Sequence, residues 1–110
     1  TYRVSNSTSC PASVFIVWQA SCSNTSNGGS TTLSVGAYGG NNYNIPAGAV
    51  LVKIQVTLTG TGWNTLWTCG NTAFSPNPST GGACPTCAGG SNNEAQVQGY
   101  VTNTKIDCYP

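Results

Sequence analysis

The side chains of this chain best equipped for covalent chemistry are its six cysteines, Cys10, Cys22, Cys69, Cys84, Cys87 and Cys108. Cys84-Pro85-Thr86-Cys87 has the C-x-x-C spacing of thiol oxidoreductases, in which a helix N-terminus lowers the pKa of the first thiol. No helix pattern follows in Ala88-Gly89-Gly90 and no strand-helix-strand unit surrounds the motif, so a structural role is expected. Cys69, Cys84, Cys87 and Cys108 could offer four thiolates to zinc, but zinc sites usually present two close pairs and only Cys84 and Cys87 are close. An even cysteine count in a short chain reads instead as a disulfide framework, which persists only outside reducing compartments. Cys10 and Cys22 flank one strand signal and are the first pairing expected. The other four would tie a long loop to strand ends at Cys69 and Cys108, through either a Cys84–Cys87 closure or two longer bridges.

Acid-base catalysis has little to work with, because the chain holds no histidine. Glu94 and Asp107 are the two side-chain carboxyls that a glycosidase mechanism would need. Asp107 sits beside Lys105 and Cys108, and Glu94 follows Ser91-Asn92-Asn93, so both read as surface groups. A serine or cysteine nucleophile would have only Lys53 or Lys105 as a base, and Lys53 projects from the polar face of the clearest strand. Phosphate-cradling glycines leading into a helix are missing, and two distant acidic residues do not make a calcium site. The expectation is a protein that is not an enzyme and needs no cofactor.

Only 5% of the residues are charged, against roughly a quarter in ordinary soluble domains, so neutral polar groups must provide solubility. A net charge of +1 excludes the basic face that would bind nucleic acid and the lysine-rich stretch that would hold an anionic membrane. It also removes the self-repulsion that keeps copies of a protein apart. No run approaches the roughly 20 apolar residues of a membrane span. With cysteines that argue for export and no leader at Thr1, the sequence reads as a processed form, secreted or held at an extracellular surface.

The elements that would position these residues are strands. Residues 49–59 alternate in period two, with Val50, Val52, Ile54, Val56 and Leu58 on an apolar face, after a turn at Asn44-Ile45-Pro46-Ala47-Gly48. Residues 13–20 carry Val14, Phe15, Ile16, Val17 and Trp18 and predict a central strand buried on both faces. Weaker strand signals lie at residues 2–7, 31–35 and 62–69, and residues 95–108 read as one strand broken by a bulge near Gly99 or Asn103. Three loops remain, at residues 22–31, 38–44 and 70–93, the last rich in proline and glycine. Helical periodicity is nearly absent. Residues 1–110 therefore predict a single all-β domain of six or seven strands, a disulfide-stapled two-sheet sandwich with Greek-key or immunoglobulin-like connectivity.

Three functions suit such a scaffold. The first is a structural subunit of an extracellular filament or surface assembly whose partners are other copies of itself. Residues 1–9 are extended in composition, so Tyr2, Arg3, Val4 and Ser5 could pair with a neighbouring subunit as a donated strand or close an edge of their own domain. The second is a lectin-like adhesion module that stacks sugars on Trp63, Trp67, Tyr38 and Tyr43 beside Asn64, Asn41 and Asn42. Trp63 and Trp67 share one strand face by their even spacing, which could equally face the core. The third is an ice-binding face on Thr57, Thr59 and Thr61. Two sequons, Asn6-Ser7-Thr8 and Asn24-Thr25-Ser26, could accept N-linked glycans.

Ser5-Asn6-Ser7-Thr8-Ser9-Cys10 before one strand, Asn44-Ile45-Pro46-Ala47-Gly48-Ala49 before another and a cysteine near the end together resemble small secreted, cysteine-containing, β-rich surface domains of Bacteroidetes. The resemblance covers most of the chain and implies export, a β-rich fold and a surface role. It assigns no functional residue.

Overall fold

The computed structural model describes residues 1–61, 63–69, 79–84, 87, 94–100 and 102–108. Among them nine strands form and no α-helix: β1 (Tyr2–Asn6), β2 (Ala12–Gln19), β3 (Gly29–Val35), β4 (Gly40–Tyr43), β5 (Val50–Leu58), β6 (Asn64–Thr68), β7 (Ser79–Ala83), β8 (Glu94–Tyr100) and β9 (Asn103–Cys108). They build a five-stranded sheet, β4-β1-β9-β8-β7, and a four-stranded sheet, β3-β2-β5-β6. One apolar core lies between the sheets. Tyr2, Val4, Ala95, Val97 and Ile106 come from the first, and Val14, Ile16, Ile54, Val56 and Leu58 from the second.

Alternation explains which side chains turn inward. Successive residues of a strand point to opposite faces, and β1 buries Tyr2, Val4 and Asn6 while Arg3 faces solvent. Strand β2 is central, between β3 and β5, but the expectation that both its faces are buried is corrected. Ala12, Val14, Ile16 and Trp18 are buried, whereas Phe15 and Val17 are half-buried. A two-layer architecture covers each sheet once, and Lys53 Nζ shields the outer ring of Phe15 from 5.7 Å.

The long alternation at residues 49–59 also breaks once. Val17 faces Lys53 but Trp18 faces Leu51, so Val52 is an extra residue on β5. This bulge switches the faces: Leu51 turns into the core and Val50 turns out. It also leaves the Val52 carbonyl free to accept the Cys69 N–H at 2.8 Å, which holds Cys69 at the end of β6.

Other boundaries differ from the expected ones. Residues 95–108 are a hairpin of β8 and β9, paired from Ala95 with Cys108 to Tyr100 with Asn103, and not one bulged strand. Gly99, with φ +133° and an Asn103 oxygen where a Cβ would stand, permits that close pairing. Two of the expected loops contain strands, β4 and β7, whose Asn- and Gly-rich sequences carry weak strand signals. The loop at 22–31 ends earlier, at Gly29. β1 is no edge strand: it runs between β4, antiparallel, and β9, parallel.

The cysteines pair as Cys10–Cys84, Cys22–Cys69 and Cys87–Cys108, with Cα separations of 6.0, 5.7 and 5.2 Å. The expected Cys10–Cys22 bridge does not form. Eight extended residues of β2 at about 3.3 Å each hold its ends roughly 25 Å apart, whereas a disulfide needs Cα atoms within about 7 Å. The expected tie between the long loop and Cys108 is present, through Cys87. Cys69 pairs instead with Cys22.

Candidate functional site

The expected aromatic platform is not assembled. Trp67 keeps only 7% of its surface exposed, and Trp63 is half-buried against the core. Their shared parity is as expected, but the shared face is the inner one. Tyr43 stacks on Trp18 with ring centroids 5.2 Å apart, which leaves Tyr38 and Asn64 exposed. The threonine rank is also dispersed. Thr57 lies on β5, while Thr59 and Thr61 lie in the following turn, where Thr61 Oγ1 donates to the Leu58 carbonyl at 2.9 Å.

All six cysteines are in disulfides. The two of the C-x-x-C motif are joined to different parts of the chain, Cys84 to Cys10 in the link between β1 and β2 and Cys87 to Cys108 on β9, although the Cys87 N–H still donates to the Cys84 carbonyl at 2.9 Å. Register brings Glu94 and Asp107 to the same outer face as diagonal neighbours, because Gln96 faces Asp107 across β8 and β9. Asp107 is engaged there, with Oδ2 3.7 Å from Lys105 Nζ and accepting from Gln98 Nε2 at 3.4 Å.

The two sequons fare differently. Asn6 is buried, and its Nδ2 donates to the Cys10 and Gly36 carbonyls at 2.8 and 3.2 Å. Its Oδ1 accepts from the Thr8 N–H and hydroxyl at 3.0 and 2.7 Å. That amide is fully committed to closing the link between β1 and β2, so the folded chain has no room for a glycan there. Asn24 is exposed, with Oδ1 accepting from the Ser26 N–H at 3.0 Å.

A pattern that composition could not show emerges from the strand order. The five charged residues all stand on inner strands: Arg3 on β1, Lys53 on β5, Glu94 on β8, and Lys105 and Asp107 on β9. The four edge strands β3, β4, β6 and β7 contain neither a charged residue nor a proline. Natural sheets usually guard their edges with lysine, proline or bulges, since unpaired backbone groups there are templates for another strand. This chain spends none of its charges so. The longest of these edges, β3, exposes Ser30, Thr32 and Ser34, and one of its carbonyls, that of Ser34, accepts from Asn41 Nδ2 at 3.1 Å.

The two ends of the sandwich differ. At one end a cleft of about 220 Å³ is lined by Thr1, Tyr2, Ile45, Ala49, Val50, Leu51 and Thr102. At the other, Tyr38 projects from the turn between β3 and β4 with 68% of its surface exposed. The Gly39 N–H closes that turn on the Gly36 carbonyl at 3.1 Å, and Tyr38 holds its third position with φ +54°. Such a turn calls for glycine or asparagine there, and a bulky residue at positive φ costs roughly 1–3 kcal/mol. The sequence signal was available in Gly36-Ala37-Tyr38-Gly39, a tyrosine set among glycines between two strands.

Comparison of the chain with family models, with curated proteins and with solved structures finds no match.

Proposed function

We propose that the protein is a non-enzymatic structural subunit that works outside the cell by associating with copies of itself in a filament or surface assembly. The observation that carries this reading is the placement of charge: every ionised side chain sits on an inner strand, and the four edge strands carry neither charge nor proline. An edge without charge or proline accepts another strand through backbone hydrogen bonds at no desolvation cost for an ionic group. Three disulfides suit a durable extracellular role. A lectin-like function has less support, since Trp67 is in the core and Tyr43 is stacked on Trp18.

Electron microscopy and light scattering of the native protein are expected to reveal ordered polymers. Thr32→Lys places a charge on the longest bare edge at an exposed position and is expected to reduce association at least tenfold, with a stability change within about 0.5 kcal/mol. Monodisperse native protein that binds immobilised sugars on a glycan array would replace this reading with the lectin-like one.

A further inference from the structure

The cleft and Tyr38 lie at opposite ends of the strand direction. β5 spans nine residues, roughly 30 Å at about 3.3 Å per residue, and of the molecular dimensions of 44, 24 and 20 Å only the longest accommodates it. The strands therefore run along the long axis. Val50 and Leu51, at the start of β5, line the cleft, and Thr1, Tyr2 of β1 and Thr102, just before β9, close it. Leu58, at the other end of β5, pairs with Ala12, which pairs in turn with Val35, the last residue before the Tyr38 turn. The Tyr38 N–H donates to the Thr8 carbonyl at 2.8 Å and fixes the turn on that end.

We propose that Tyr38 of one copy enters the apolar cleft of the next, so that copies join end to end along the strand direction. This rests on the self-association reading above and names its axial contact. Size agrees, since a cavity of about 150 Å³ lined by apolar side chains takes up benzene and this cleft holds about 220 Å³. Chemistry agrees as well. Ile45, Ala49, Val50 and Leu51 give the cleft apolar walls, Val50 with 48% of its surface exposed. Neither the knob nor the cleft contributes a charged side chain. The turn holds the ring outward before contact, and such preorganisation lowers the entropy lost on binding.

Knob and cleft are different surfaces, so the contact is heterologous and propagates unless its rotation closes a ring. An axial repeat of at most about 44 Å is expected in the assembled protein.

The test uses Tyr38→Gly and Val50→Glu. Glycine suits the positive φ at position 38, and Val50 is exposed enough to accept glutamate in the monomer. Each variant alone is expected to lose axial polymers in sedimentation velocity and electron microscopy. An equimolar mixture is expected to give a 1:1 heterodimer, because the Tyr38→Gly chain keeps its cleft and the Val50→Glu chain keeps its tyrosine. Polymers of Tyr38→Gly with the native repeat, or a mixture that stays monomeric, would overturn the contact. If assemblies survive both substitutions and vanish with Thr32→Lys, the end contact falls and the self-association reading stands. Native protein that is monomeric at every concentration overturns both. Loss of sugar binding in Tyr38→Gly with assembly unchanged would make Tyr38 a ligand contact and also overturn the proposal.

Discussion

Trp18 decides what can stand opposite it. Its indole lies over Gly29 on the neighbouring strand, where a Cβ would come within 2.7 Å of a ring carbon. Tyr43 stacks on the same indole and the ring is buried, so a shift would disturb a second aromatic contact. Gly29→Ala is therefore expected to destabilise the fold by roughly 1–3 kcal/mol, read as a lower urea midpoint at unchanged slope. Tyr2 sets a second expectation. Its phenol is buried and donates to the Thr104 hydroxyl. Burial pushes its pKa well above the ordinary value of 10.0, and the hydrogen bond offsets part of that rise. The folded chain keeps this proton where the unfolded chain has released it, so Tyr2 contributes full stability below pH 10 and loses it as pH rises further. The slope is about 1.4 kcal/mol per pH unit. Urea midpoints measured from pH 9 to 11.5 should fall in the native protein, and Tyr2→Phe should remove that part of the decline.

At the scale of elements, the decisive fact is that β1 is an inner strand. Removing residues 1–6 leaves β4 without its partner, turns β9 into an edge and opens the core at Tyr2 and Val4. Two buried side chains of this kind contribute roughly 3–6 kcal/mol, a large share of an ordinary domain's stability. The shortened chain is expected to lose cooperative unfolding by circular dichroism. Retention of the native midpoint would instead mark β1 as dispensable to its own domain and free to be donated. The alternation of Tyr2 and Val4 was legible as a strand, but its place in the sheet was not. Pairing with β4 and with the last strand, β9, uses backbone groups that every residue carries. Only closure of the core selects those partners.

On the scale of the whole molecule, the disulfides tie distant parts of the chain. Their sequence separations are 74, 47 and 21 residues, and loop-closure entropy makes each worth roughly 3–4 kcal/mol. Together they rival the roughly 5–15 kcal/mol net stability of a typical domain. The reduced chain is expected to be largely unfolded at 25 °C by tryptophan fluorescence, and the double substitution Cys22→Ser with Cys69→Ser to lose about 4 kcal/mol while keeping its fold. A reduced protein that melts at the native temperature would show that the sandwich stands without its staples. Strand class, scarcity of charge and the even cysteine count were properties of the sequence itself, since alternation and composition are local and need no partner to be read. Which cysteines meet, which strands become the bare edges, and that Tyr38 and the apolar cleft come to lie at opposite ends were decided by the tertiary structure. Those facts depend on contacts between residues far apart in the chain, and the free energy of closing one core between two sheets chooses among them.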